Sequence, residues 1–138
     1  MTPDTPYGAT EPVEYLQPAG LGRPEEPYSL AIRSGNQLFL AGQVAFDEDN
    51  QLVGAGDPRR QAVQCWRNIE LAIEAAGGTL ANVVKITVYY KDIRYMDDEI
   101  AVRRELFQDG RYPVCTIVQV GNLGLPELLM EIDATVVL

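Results

Sequence analysis

A chain without a single histidine has few ways to move a proton. Ser-His-Asp and Cys-His nucleophile systems are excluded, and with them most catalytic zinc sites. Proton transfer falls to carboxylates, Cys, Tyr, Lys, the terminus or bound water. Within that menu Glu131 stands out, because it sits between Met130 and Ile132 in an otherwise apolar C-terminal run. A carboxylate placed there either serves a partly buried site or faces solvent by strand alternation, with Asp133 on the same face. The two cysteines, Cys65 and Cys115, cannot frame a disulfide scaffold, and their spacing matches no zinc motif. Cys115 would need a lowered pKa to act as a nucleophile, with no imidazole to help. Otherwise it is a small, semi-apolar residue lining a pocket.

Bulk properties narrow the setting. With 138 residues, 46% hydrophobic and 22% charged, the chain has the size and composition of one soluble domain. Its net charge of -9 repels phosphate backbones, and Arg59-Arg60 and Arg103-Arg104 are the only adjacent basic pairs. Nucleic acid is therefore not an expected partner. Apolar runs such as Gln37 to Phe46 fall short of a bilayer span, so no membrane association is expected. No basic n-region followed by an apolar h-region opens the chain, and cytoplasmic residence is the expectation.

The elements that must carry these residues follow from pattern. Six of the nine prolines lie within residues 1–27, which read as an extended arm. The domain boundary is placed there, with an arm over 1–26 and a domain over 27–138. Tyr28 to Arg33 and Gln37 to Phe46 form a β-hairpin around Ser34-Gly35-Asn36, and Asp47 to Gly56 form a loop. Asp57-Pro58 supplies an N-cap acceptor and a first-turn proline. Ala62, Cys65, Trp66, Ile69, Ala72, Ile73 and Ala76 then make one apolar helical stripe, which Gly77-Gly78 ends. Val83 to Tyr90 is a third strand. Asp97-Asp98-Glu99 opens a second helix that stops at Asp109-Gly110. Val114 to Val120 and Leu128 to Val137 are the last strands. The order β-β-α-β-α-β-β predicts an α+β sandwich with helices on one face of the sheet.

That order, and the residues on it, resembles the RidA/YjgF family, also called the L-PSP endoribonuclease family. The matching segments run from Pro27-Tyr28-Ser29 through Leu40-Ala41-Gly42-Gln43-Val44, Asn68 and Glu74-Ala75-Ala76-Gly77. They continue in Val83-Val84-Lys85-Ile86-Thr87-Val88-Tyr89 and end in Met130-Glu131-Ile132-Asp133-Ala134. The resemblance implies a chorismate-mutase-like fold, a homotrimer whose sheets form a central barrel, pockets between subunits, and no cofactor. Active members hydrolyse enamine or imine intermediates such as 2-aminoacrylate to a 2-oxo acid and ammonia. An arginine clamps the substrate carboxylate, a glutamate holds a water, and a tyrosine closes the pocket.

On this resemblance Glu131 aligns with the water-positioning glutamate and Tyr28 with the pocket-closing tyrosine. Gly42 lies where backbone approaches ligand, although a packing glycine would read the same. Lys85 and Thr87 match strand residues of structural character. The main departure is Cys115, which stands where the deaminases carry the carboxylate-binding arginine. Losing a charge-assisted pair of this kind costs about 1.5 to 3 kcal/mol, roughly one to two orders of magnitude in binding. Glu131 nearby would act as a base toward Cys115 but also disfavour its thiolate. Arg94 replaces a ligand-side asparagine; it either supplies the missing cation from another wall or is a solvated loop residue. Ile117 stands where many members have a cysteine. The candidate catalytic residues are Glu131 and Cys115. Candidate substrate-binding residues are Tyr28, Gly42, Arg94, Cys115, Thr116 and Ile117, with no metal ligands.

The leading expectation is a cofactor-free hydrolase of deaminase type. It would act on a small imine, enamine or related metabolite in an inter-subunit pocket, with a substrate other than 2-aminoacrylate. The alternative is a non-catalytic trimer that binds metabolites or acts as a chaperone. Ribonuclease activity ranks last, since a histidine-free chain of charge -9 is poorly equipped for phosphodiester chemistry.

Overall fold

A computed structural model describes residues 12–138. Residues 1–11 of the proline-rich arm lie outside the described residues. Six strands form one mixed sheet: β1 (Val13–Leu16), β2 (Ala31–Ser34), β3 (Gln37–Leu40), β4 (Val83–Tyr90), β5 (Val114–Gln119) and β6 (Met130–Val137). Their spatial order is β1-β2-β3-β6-β4-β5. Every pair is antiparallel except β4 and β5, which α2 (Met96–Leu106) connects as a parallel crossover. The helix α1 (Pro58–Glu74) packs beside α2 on one face of the sheet, so the α+β sandwich predicted from the element order is the observed one.

The helix α1 begins where its sequence says it should. The Asp57 carboxylate accepts a hydrogen bond from the Arg60 backbone N–H at 3.1 Å, and Pro58 occupies the first turn. It ends at Glu74, and the chain turns away just beyond it at Gly77, whose φ of +81° is a conformation that glycine adopts without steric cost. Between these caps Ala62, Cys65, Trp66, Ile69, Ala72 and Ile73 are all buried against the sheet. Trp66 meets Phe107, just beyond α2, edge to face at 5.4 Å between ring centroids. In α2 the fully buried Glu99 carboxylate accepts from Arg103 one turn on, in a two-pronged pair at 2.8–3.2 Å.

Strand β6 occupies the centre of the sheet, and its alternation sorts the two faces. Met130, Ile132, Ala134 and Val136 are buried under the helices, while Glu131, Asp133, Thr135 and Val137 point to the other, open face. Two polar residues on the buried side of α1 fasten the loops that flank this strand. The Gln61 side chain donates to the carbonyls of Gly54 (3.1 Å) and Glu127 (3.0 Å) and accepts from the Leu129 N–H at 2.9 Å. The Asn68 amide donates to the carbonyls of Val44 (3.0 Å) and Phe46 (2.9 Å).

Two features differ from expectation. The described part of the arm contributes β1, which pairs with β2 from Val13↔Ser34 to Leu16↔Ala31, with Leu16 packed against the core. Four residues among prolines carry too short an alternation to be read as a strand. The second hairpin strand stops at Leu40 instead of Phe46, because the chain leaves the β3 ladder and touches β6 again only at the Gln43↔Ile132 bridge. That departure is what carries Gly42 over β6.

Candidate functional site

On the open face of the sheet, three residues far apart in sequence line one cavity of about 810 Å³: Tyr28, Gly42 and Glu131. The arm adds Pro24, Glu25 and Glu26 to its wall, and Leu125 and Leu128 enter from the loop before β6. Glu131 lies on β6 opposite Tyr89, and the Gln43↔Ile132 bridge beyond β3 brings Gly42 against its carboxylate. A Cβ added at Gly42 would lie 2.7 Å from the Glu131 Oε1 and 3.1 Å from its Cδ. No positive φ demands glycine here. The carboxylate itself does.

Paired backbone bonds set this approach. The Gln43 N–H donates to the Ile132 carbonyl at 2.8 Å, the Ile132 N–H returns a bond to the Gln43 carbonyl at 3.0 Å, and the Ala41 N–H donates to the Leu30 carbonyl at 2.9 Å. Gln43 is buried, and its amide donates to the Ala41 carbonyl at 3.0 Å. Loss of solvation, reinforced by the charge of Asp133, raises the Glu131 pKa above the ordinary carboxylate value. Burial raises Asp133 as well, against the opposing pull of Lys85. A carboxyl group in this state exchanges a proton with water closer to neutrality than a solvated one does, which suits it to general acid–base work.

The other candidate residues lie elsewhere on the chain. Cys115 pairs with Ile86, and Ile86 pairs with Ala134, so Cys115 belongs to the helix-side face of the sheet. Glu131 pairs with Tyr89, and Tyr89 with Val118, on the open face. Within one chain, Cys115 and Glu131 therefore occupy opposite faces two strands apart, and neither Cys115, Thr116 nor Ile117 lines the cavity. All three sit on β5, an edge strand exposed along its whole length, with Val114 66% accessible. Arg94 does not line the cavity either. Its guanidinium donates to both carboxylate oxygens of Asp92 at 2.6–3.0 Å, and the Arg94 bonds hold the Asp92 pKa down to about 2.

Sequence reasoning did not single out Glu25, Glu26 or Asn50, all of which line the cavity. Asn50 also ties the arm down, donating to the Arg23 carbonyl at 2.8 Å. Gln61 was not singled out either, and Asn68 only as part of the resemblance, although amides on a helix face otherwise made of Ala, Cys, Trp and Ile must find buried partners.

Comparison with known proteins places this geometry in context. The family model described as endoribonuclease L-PSP matches residues 21–138. A RutC family protein of Pyrococcus horikoshii is 38% identical over 112 residues, which cover 81% of this chain and 87% of that protein. A 2-iminobutanoate/2-iminopropanoate deaminase of Dermatophagoides farinae is 28% identical over 116 residues, covering 84% of this chain and 89% of that protein. Among solved structures, RidA from an Antarctic Psychrobacter superposes with a TM-score of 0.83 at 28% identity, covering 91% of this chain and 99% of its own.

Proposed function

This chain belongs to the endoribonuclease L-PSP family, the RidA/YjgF proteins, and from that premise we propose that it hydrolyses a small imine or enamine without a cofactor. The observation that carries the proposal is the meeting of Tyr28, Gly42 and a Glu131 of raised pKa in one cavity. In the proposed reaction Glu131 accepts a proton from a water as the water oxygen bonds to the imine carbon. The same carboxyl returns that proton to nitrogen to give a carbinolamine, then takes the hydroxyl proton and passes it to the nitrogen as the C–N bond breaks, so that a carbonyl compound and ammonia leave. Gly42 leaves space above the carboxylate for the reacting atoms, and Tyr28, at the exposed rim, closes over them.

The site is proposed to be completed between copies of the chain, in a homotrimer. Two observations support this. The cavity is open on one side, and the exposed apolar edge strand β5, with Cys115, Thr116 and Ile117, cannot reach it within the same chain. Phe39, Val84 and Val137, exposed apolar residues on β3, β4 and β6, extend the surface available for association. The preferred substrate is proposed to differ from 2-aminoacrylate, because Cys115 offers no charge to a carboxylate. Cytoplasmic residence belongs to the same proposal; among the described residues no helix is long and apolar enough to cross a membrane.

The test is trapping of freshly generated imines. An amino-acid or amine oxidase produces the imine, semicarbazide captures what survives, and the chain is scored by how far it suppresses capture. Suppression that disappears in Glu131→Ala supports the proposal. Suppression by no imine, with the variant indistinguishable from the parent, would assign the chain to non-catalytic ligand binding.

A further inference from the structure

We infer that the cavity selects a small cationic iminium, of the kind formed from an aliphatic amine, over the anionic 2-imino acids. The inference rests on the hydrolase reading above and specifies its substrate by charge. Three carboxylates line the cavity, Glu25, Glu26 and Glu131, and neither lysine nor arginine does among the described residues. The rings of Tyr28, Phe39 and Phe46 line it too, and aromatic faces attract cations and not carboxylates.

Among the described residues the cations of the chain lie outside the cavity lining, and some of them are ion-paired. Arg94 is neutralised by Asp92, and Arg103 by the buried Glu99. Lys85 on the open face acts on Asp133, and the Lys91 ammonium donates to the Pro126 carbonyl. Arg23 lines an adjoining hollow that shares Pro24, Tyr28 and Ser29 with the cavity, but it is not among the residues lining the cavity itself. On β5, the strand proposed to approach from another copy, Cys115 brings no charge. A substrate carboxylate entering here would lose its hydration and face like charge, whereas an iminium would face three opposite charges.

The chemistry balances with a cation on each side. Water oxygen bonds to the iminium carbon, the C–N bond breaks, and R₂C=NH₂⁺ plus H₂O gives R₂C=O plus NH₄⁺. Glu131 carries both water protons, one after the other, from oxygen to nitrogen. Glu25 and Glu26, which are exposed at the wall, act on the charge of the ligand without touching the reacting bond.

The experiment pairs binding with turnover on the full chain. Isobutylammonium and isobutyrate, matched in shape and opposite in charge, are titrated calorimetrically into the parent and into a Glu25→Gln/Glu26→Gln double variant. Neither position is buried, so the double variant keeps its fold. The ammonium probe is expected to bind at least about tenfold more tightly than the carboxylate, and the double variant to lose on the order of tenfold of that preference. The aldimine from amine oxidation should likewise be hydrolysed with a higher kcat/KM than the 2-imino acid from amino-acid oxidation. Isobutyrate binding as well as isobutylammonium overturns the inference. Glu131-dependent turnover that favours the 2-imino acid also overturns it while leaving the hydrolase reading intact. Ammonium binding with turnover of no imine overturns both.

Discussion

Substituting Gly42 by alanine tests the site with one methyl group. An ideal Cβ at residue 42 lies 2.7 Å from Glu131 Oε1, against about 3.4 Å for ordinary contact, so the carboxylate must retreat by about 0.7 Å. The glycine backbone has no positive φ, so alanine adds no backbone strain, and the whole effect falls on Glu131. Moving a proton-transferring group by a sizeable fraction of an ångström costs roughly tenfold to a hundredfold in rate. Gly42→Ala is therefore expected to lower kcat on the best imine by one to two orders of magnitude. Its thermal unfolding should move by only a few degrees, as for a change of about 1 kcal/mol. The assay is suppression of semicarbazide trapping, with Tm measured on the same preparation. A Gly42→Ala protein with full turnover refutes the placement of Glu131 as the proton carrier beneath residue 42.

Five further outcomes are expected. The kcat/KM of the parent should fall as pH drops through the raised Glu131 pKa, because the protonated carboxyl can no longer accept the water proton. The same elevation means that ionised Glu131 costs stability above its folded pKa and ceases to do so below it, so Glu131→Gln should raise Tm at neutral pH while abolishing turnover. Replacing Gln61 by alanine removes three buried hydrogen bonds and should destabilise the fold by about 2 to 3 kcal/mol in denaturant titration. Glu99→Ala strands the nearly buried Arg103 guanidinium and should cost about 3 to 5 kcal/mol, read the same way. Asn50→Ala releases the Arg23 carbonyl, and with it the cavity wall at Glu25 and Glu26; KM should rise by roughly tenfold with a smaller change in kcat.

Elements whose signals are local were legible in the sequence. Pro58 and Gly77 bracket α1, and its apolar stripe is the buried one. Strand β4 is found over the predicted span Val83–Tyr90, because β-branched and aromatic residues fill a strand paired on both sides. Signals that depend on pairing were not legible. Register alone shows that Cys115 and Glu131 point to opposite faces, and no spacing in the sequence encodes which strand lies beside β4. Gly42 and Glu131 were both visible as candidates, yet the contact between them arises from a strand that leaves its ladder between Leu40 and Gln43. Glu25, Glu26 and Asn50 meet at the cavity through loop-to-loop contacts, which follow no period that a pattern could reveal.

Mixing two inactive variants tests most directly whether Glu131 of one copy works against β5 of another. Glu131→Ala and Thr116→Trp, the second blocking the exposed face of β5, should each be inactive alone. Unfolded together and refolded as mixed oligomers, they should regain about a quarter of the parent rate, since a random assembly pairs an intact acid with an intact β5 at that frequency. Mixed oligomers with no recovered activity, or a Thr116→Trp protein that hydrolyses imines at the full rate, would contradict a site shared between copies.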